Sequence, residues 1–497
     1  MSLRALARGS ALYTLGTFLP RFGALLLLPV YTMTLGPAAF GVVSLMLSVS
    51  TLLSIVYRLG LDGALLRLHF DLSPEARPRL YATLTAITVG VAIGGSVLLG
   101  LALAPFFSRL FTGISFLPFG VLTLAITSTT ALQYVPTVFY RATERPGRFL
   151  AYSGGIMVAA IVASIVFLVI FKLGPVGALL GQLVGGIIGL VIGAAVLLRL
   201  RPLRLERGLA RSGLAFGLPL VPHSISGWIL NVSDRWLLGL LLGLGIAQTQ
   251  AAIGVYSLGY QLAQTVSLIA LSFNAAWGPF FYARGESRAG PALLREMTTV
   301  VAALLGALAV GLAVAGPEII RVIAPPSWGV ARDQAADVLR VVALASFIYS
   351  IYFMVSSVVF LTRRTALLPL LTVSAGAANV ALNLLLIPRI GIMGAAWSTV
   401  VGYTILAVGT AIYAARGYPL RLDLARLGIL ATAGIGVGWL TRTLLPAEPG
   451  IGVLAVHVVA IGAFAVLAWL LLRAPVSRLR KLVAATSPPP DVAAVLG

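Results

Sequence analysis

Arg21, Arg58 and Arg235 stand inside apolar stretches of this chain rather than in its loops. An ionised group within a bilayer-spanning helix costs about 2.5 to 3.5 kcal/mol on insertion scales, so it faces a wet interior or a partner. The chemistry open to an arginine there is to hold an anion. Arg21 lies 11 residues into the stretch 10–34, roughly 16 Å along a helix at 1.5 Å per residue. That is near the middle of a core about 30 Å thick, beyond easy reach of either surface. It reads as a cavity-lining cation; a buried structural pair or a shifted helix boundary is the other reading. Arg58 sits three residues before Leu61 at the basic end of the second stretch, where its stem can carry the charge to the interface. Interfacial reach is the favoured reading of Arg58. Arg235 follows Asp234, and a purely structural pair is as good a reading as anion binding. Asn231 adds an amide one turn earlier. Asp234 and His223, the latter titratable near physiological pH, are the candidates for a coupled ion, although a hydrogen-bonded packing role is favoured for His223.

The elements that must position these groups follow from composition. The 497 residues are 59% apolar and 10% charged, without cysteine, whereas soluble domains run near 25% charged. Lipid must be the main solvent. Apolar stretches lie near 10–34, 39–61, 80–105, 116–139, 149–171, 176–198, 213–242, 251–281, 297–320, 336–361, 367–387, 393–415, 427–445 and 451–472. Backbone groups in lipid find no water, so these must be helices. Pro219, Pro222 and Gly227 interrupt the seventh, and Pro20 and Pro29 flank Arg21 in the first, so both should bend or unwind locally.

Of 35 Lys and Arg residues, 25 fall at the amino terminus, in the carboxy tail and in polar breaks after every second stretch. These clusters run from Arg4 and Arg8 through Arg67, Arg77 and Arg79, Arg141 to Arg148, Arg199 to Arg211, Arg284 to Arg295, Arg363 and Arg364, and Arg416 to Arg426, to Arg473 to Lys481. The positive-inside rule makes them cytoplasmic, and an even number of spans puts both termini there. A charge of +21 so distributed orients the chain and does not suit nucleic acid, which would ask for a basic face on a polar domain. The opposite connections, such as Gly36 to Ala38, Lys172 to Pro175, Pro388 to Ile392 and Pro446 to Gly450, leave no room for an external domain.

The chain also echoes itself. GVVSLMLSVSTLLSIV from Gly41 matches GVYSLGYQLAQTVSLI from Gly254 at an offset of 213, and Gly174, Gly177 and Ala178 match Gly391, Gly394 and Ala395 at 217. Six spans separate the copies, so both have the same orientation, as in parallel transporter repeats. The expected fold is therefore an all-α polytopic membrane protein of about 14 transmembrane helices. Residues 1–211 form one six-helix lobe, 212–416 a second, 417–472 two additional helices and 473–497 a cytoplasmic tail. Gly177, Gly181, Gly185, Gly189 and Gly193 form a ladder for close helix packing, favoured within the same lobe. Gln133, Gln182, Gln261, Gln264, Asn274, Asn379 and Asn383 can hydrogen-bond between helices, and Glu318 with Arg321 reads as an interfacial ion pair. Nucleotide-binding, metalloprotease, serine-hydrolase and dinucleotide motifs are missing, as is an Asp-x-Asp metal site, so neither enzyme chemistry, cofactor nor metal is expected.

Several phrases resemble the polysaccharide transporter branch of the multidrug/oligosaccharidyl-lipid/polysaccharide flippase superfamily. They are LLPVYTMTLGPAAFGVVSL from Leu27, DRWLLGLLLG from Asp234, GVYSLGYQLAQ from Gly254, AAWGPFFYAR from Ala275, PEIIRVIAPPSW from Pro317 and NLLLIPRIGIMGAAWSTVVGY from Asn383. The resemblance implies two lobes around a central cavity in a bacterial cytoplasmic membrane. It also implies passage of undecaprenyl-pyrophosphate-linked oligosaccharide from the cytoplasmic to the outer leaflet by alternating access, driven by membrane potential or an ion gradient. Arg21, helped by Arg58 and Arg235, would then neutralise the pyrophosphate, with polymerase and glycosyltransferase partners in the same pathway. A lipid II flippase and a cation-coupled multidrug exporter of the same superfamily are the alternatives.

Overall fold

A lone segment in lipid satisfies its backbone only as a helix, and in the computed structural model the residues described, 3–197, 204–444 and 450–486, form helices joined by short turns and loops, with no strand among them. Arg199, Arg201 and most of the expected connection Pro446 to Gly450 lie outside the described residues. Thirteen helical stretches among these residues are long and apolar enough to cross a membrane. The remaining expected stretch, 251–281, is one continuous helix whose Gln261, Gln264 and Asn274 dilute its apolar density. The protein is thus a multi-pass membrane protein.

Internal contacts divide the chain into two units, Met1–Gly254 and Val255–Gly497. The first comprises α1 (Leu3–Thr34), α2 (Pro37–Arg58), α3 (Leu61–Asp71), α4 (Arg77–Leu103), α5 (Phe107–Leu110), α6 (Val121–Leu132), α7 (Tyr134–Ala142), α8 (Pro146–Ile165), α9 (Gly174–Leu197), α10 (Arg207–Gly217), α11 (Val221–Val232) and α12 (Asp234–Leu241). In it α1 packs on α8, α8 on α9, and α2 on α6 and α9. The seventh expected helix is interrupted twice, by a 3-10 turn at Leu218–Leu220 around Pro219 that separates α10 from α11 and at Ser233 between α11 and α12, whereas α1 runs unbroken through Pro20 and Pro29. α10 lies on α3 and α4, and α11 and α12 lie on α2.

Helix α2 is held at both ends by glycines. At its first turns Gly41 and Gly254, the paired residues of the sequence echo, meet back to back: a Cβ on Gly41 would strike the backbone of Gln250 and Gly254, and one on Gly254 would strike Pro37 O. At its last turn Leu59 and Gly60 take left-handed φ values of 50° and 69°, ending the helix. A Cβ on Gly60 would strike the backbone of Gly217. Between these points Trp228 Nε1 donates to Ser48 O at 3.0 Å. Hydroxyl pairs stitch α2, α4 and α6 together: Ser50 with Thr127, Tyr57 with Ser96, and Ser96 with Ser128, each at 3.0 Å.

The second unit contains most of α13 (Ile246–Tyr282), then α14 (Gly290–Ile323), α15 (Ala331–Leu361), α16 (Leu368–Ile390), α17 (Ile392–Ala415), α18 (Leu424–Leu444) and α19 (Ile451–Thr486). Its frame is α15 against α14 and α17, with α18 and α19 laid on α14. α19 continues well past residue 472, carrying Arg473 and Arg478 on a helix. Two of the amides join helices as expected, Gln182 Nε2 donating to Tyr31 OH at 3.1 Å and Gln264 Nε2 to Tyr403 OH at 3.5 Å, whereas buried Asn383 Nδ2 donates to Asn379 Oδ1 at 3.1 Å within α16 itself. Glu318 reaches across to His457 Nδ1 of α19 at 3.1 Å, while Arg321 reaches Asp333 at 3.5 Å.

The glycine ladder of α9 faces α8 of the same unit. A Cβ on Gly181 would meet Ser164 backbone atoms at 2.6 Å, and one on Gly185 or Gly189 would meet Ala160 or Ile156 at 2.7 and 2.8 Å. Gly155 on α8 has nothing within 4 Å of such a Cβ. Gly181→Val should therefore lower stability by about 1 to 3 kcal/mol through forced backbone separation. Gly155→Val should stay within about 0.5 kcal/mol of wild type. Thermal unfolding in detergent separates the two, and equal midpoints would contradict the ladder's packing role.

Candidate functional site

Five residues of α1 to α12 carry the charges and amide that sequence singled out, together with His223. Arg21 is exposed on α1. Gly16, Leu19 and Gly23 mark the face of α1 that meets Phe149, Gly154 and Met157 of α8, and Arg21 projects roughly 150° round the helix from it at 100° per residue. Its guanidinium lies 5.8 Å from the Phe18 ring centroid, and among the described residues no carboxylate pairs with it. The cation is thus held on an apolar helix without neutralisation.

Arg58 is placed differently. It is half-buried at the last turn of α2, and its Nη2 donates to Thr130 O at 2.9 Å. That carbonyl stands beside the α6/α7 junction, where Gln133 N also bonds it at 3.3 Å and Pro136 removes a backbone donor one turn on. Arg58 therefore ties the end of α2 to a second helix break. Its Nε is buried without a hydrogen-bond partner, which leaves one donor of the fork unused.

Asp234 and Arg235 open α12. Both are buried, at 0% and 7% exposure, and both are engaged with partners, as a charge removed from water requires. Asn231 bonds back to its own helix, Nδ2 donating to Gly227 O at 2.7 Å. His223 is exposed on α11. So the structure separates the sequence candidates into an exposed cation and histidine, Arg21 and His223, and an engaged set, Arg58, Asn231, Asp234 and Arg235.

Two groups in the second unit were passed over by sequence reasoning. Arg340 lies inside a span, donates through Nε to Ala313 O at 3.1 Å and pairs with Asp337 at 2.8 Å, and Asp337 also receives Arg442 at 2.9 Å. These three border an apolar cleft of about 230 Å³ walled by Phe347, Trp397 and Trp439. The signal was Asp337 and Arg340 three apart on one helical face. The other group is a tyrosine array: Tyr349 stacks on Tyr403 at 4.4 Å and on Tyr352 at 5.5 Å, and Tyr260 lies 3.5 Å from Tyr403 hydroxyl to hydroxyl. Tyr349 and Tyr352 share a face by the same spacing rule.

Residues 6–283 match the family described as "Polysaccharide biosynthesis protein". The chain belongs to that family. No curated protein matches the chain. Among solved structures, a lipid II flippase, MurJ, in an inward closed conformation shares the fold with a TM-score of 0.68 and 14% identity over 92% of this chain and 98% of that one. Two multidrug resistance transporters of the MATE family also align. The inward-facing one gives a TM-score of 0.56 at 17% identity over 87% of this chain and 96% of that one. The outward-facing one gives 0.55 at 16% identity over 86% and 96%. The chain thus shares its fold with a lipid II flippase and with multidrug transporters.

For this family member the Arg58 contact yields a direct test. Replacing Arg58 by Met removes a charged donor from Thr130 O and should cost about 1.5 to 3 kcal/mol, while Lys, lacking the planar fork, should recover part of it. Thermal unfolding of the purified variants reads this out. Unchanged stability with lost transport would instead make Arg58 a substrate ligand.

Proposed function

We propose that this protein is a flippase for a pyrophosphate-linked lipid oligosaccharide, carrying undecaprenyl-pyrophosphate-linked repeat units from the cytoplasmic to the outer leaflet of a bacterial cytoplasmic membrane by alternating access. The observation that carries the proposal is Arg21: a cation in mid-span, exposed, and unpaired with any carboxylate among the described residues. A cation in low dielectric without a counter-charge favours an anionic ligand strongly. Arg235, buried on α12 beside Asp234, is the helping cation of this reading. Family membership is consistent with a polysaccharide-precursor substrate, and the phosphate charge provides the driving force. Moving one elementary charge through 100 mV is worth about 2.3 kcal/mol, and an inside-negative potential favours outward passage of an anion. Sugars would meet amides and hydroxyls, and the polyprenyl tail would stay in lipid. A cation-coupled drug exporter of the same fold would be expected to carry acidic intramembrane sites, whereas the mid-span charge of this chain is mainly basic.

Arg21→Ala should reduce surface glycan at least tenfold in a complementation strain at matched membrane abundance, and Arg21→Lys should restore a substantial part, because a point cation still pairs with phosphate. Full glycan display by Arg21→Ala would sink the assignment. Rescue of a strain depleted of its lipid II flippase, without any glycan phenotype, would turn the substrate to lipid II.

A further inference from the structure

The second unit holds a charged cleft that the translocation reading does not use. It occupies about 610 Å³ between the end of α13, the start of α14, the end of α15 and the connection from α17 to α18, where the spans reach the end of the bundle that carries the basic clusters. Arg288, Arg295 and Arg421 line it, against the acids Glu286 and Glu296. Arg295 is held by Asp423 at 3.0 Å. Arg288 and Arg421 are exposed, and among the described residues neither makes an ion pair.

Two further observations point to a ligand. The 34-residue helix α14 starts at the cleft wall with Gly290 and Pro291, with neither a side-chain cap nor an acid in its first turn; Gly290 N bonds Ser287 O and Leu293 N bonds Ala289 O, each at 2.9 Å, so the helix start offers an anion its positive dipole end rather than a row of free N–H groups. Glu296, only 3% exposed, lines the same cleft. Its Oε1 meets Arg478 at 3.2 Å, while Oε2 has no hydrogen-bond donor. A buried carboxylate oxygen without a donor is costly, and a ligand hydroxyl would satisfy it. The wall itself is firm: Tyr418 donates to Gly285 O at 2.8 Å, and burial pushes its hydroxyl up to about 12, so it remains a donor at any physiological pH.

We propose that this cleft binds a hydroxylated phosphate ester, the phosphate between Arg288, Arg421 and the α14 N-terminus and an alcohol of the ester on Glu296 Oε2. Its place where the spans end makes an anionic phospholipid headgroup one source of that chemistry, and a soluble sugar phosphate the other. The proposal stands apart from Arg21 and from the flippase reading. The test uses the full chain in nanodiscs of phosphatidylglycerol, phosphatidic acid or phosphatidylcholine, and in neutral detergent with sn-glycerol 3-phosphate, with binding read by native mass spectrometry and thermal shift. Phosphatidylglycerol should bind with about tenfold preference over phosphatidylcholine, a difference of about 1.4 kcal/mol, and the Arg288→Ala/Arg421→Ala double variant should lose it. Glu296→Gln should erase the preference for phosphatidylglycerol over phosphatidic acid, whose phosphate carries no alcohol. Arginine-dependent binding of glycerol 3-phosphate alone would assign the soluble source. Equal binding of all three lipids with no response to glycerol 3-phosphate, or full binding by the double variant, overturns the proposal.

Discussion

Close approach of helix backbones at glycine is the constraint on which the rest of the first unit depends. Lipid tails are as apolar as leucine, so no hydrophobic force draws one spanning helix to another, and packing must come from contact area and hydrogen bonds. Gly41 and Gly254 let α2 and the start of α13 touch main chain to main chain, and Gly60 and Gly217 do the same at the far end of α2. With both ends fixed, Trp228 reaches Ser48 O, and the hydroxyl pairs toward α4 and α6 fall into register. The ladder of α9 repeats the device against α8.

On this frame charge is sorted by whether it finds a partner. Arg58, Asp234, Arg235, Arg340 and Asp337 are drawn into contacts, since a buried charge without one would be expelled or neutralised. Arg21 is carried on the face of α1 turned away from α8, where helix packing offers nothing to pair with it. Its difference from Arg58 is therefore geometric, for both are arginines near prolines or helix ends in apolar sequence. The same sorting explains the open cleft at the basic end of the second unit. There Arg295 and Arg426 share Asp423, and the two arginines left over point to solvent.

Much of the fold was legible. The apolar stretches, the break at Pro219 and the glycine ladder all follow from residue type and spacing, because bilayer thickness fixes span length and proline removes a donor. The candidate site was legible only as a set of charges. Glu318 and Arg321 share a helical face by spacing, yet Glu318 turns to His457 on α19 and Arg321 to Asp333. Spacing along one helix says nothing of what another helix brings beside it.

By itself the sequence determined that the chain is a helical membrane protein, roughly where along the chain its spans lie, and that some arginines lie off the basic clusters, since hydropathy and charge are local properties. Tertiary structure decided which arginine stays open, that Arg58 caps a carbonyl at another helix's break, and that Glu296 and the start of α14 share a cleft with Arg288 and Arg421. Those outcomes depend on contacts between residues tens to hundreds of positions apart. Only the packing of whole helices sets such contacts, and packing in lipid is governed by shape.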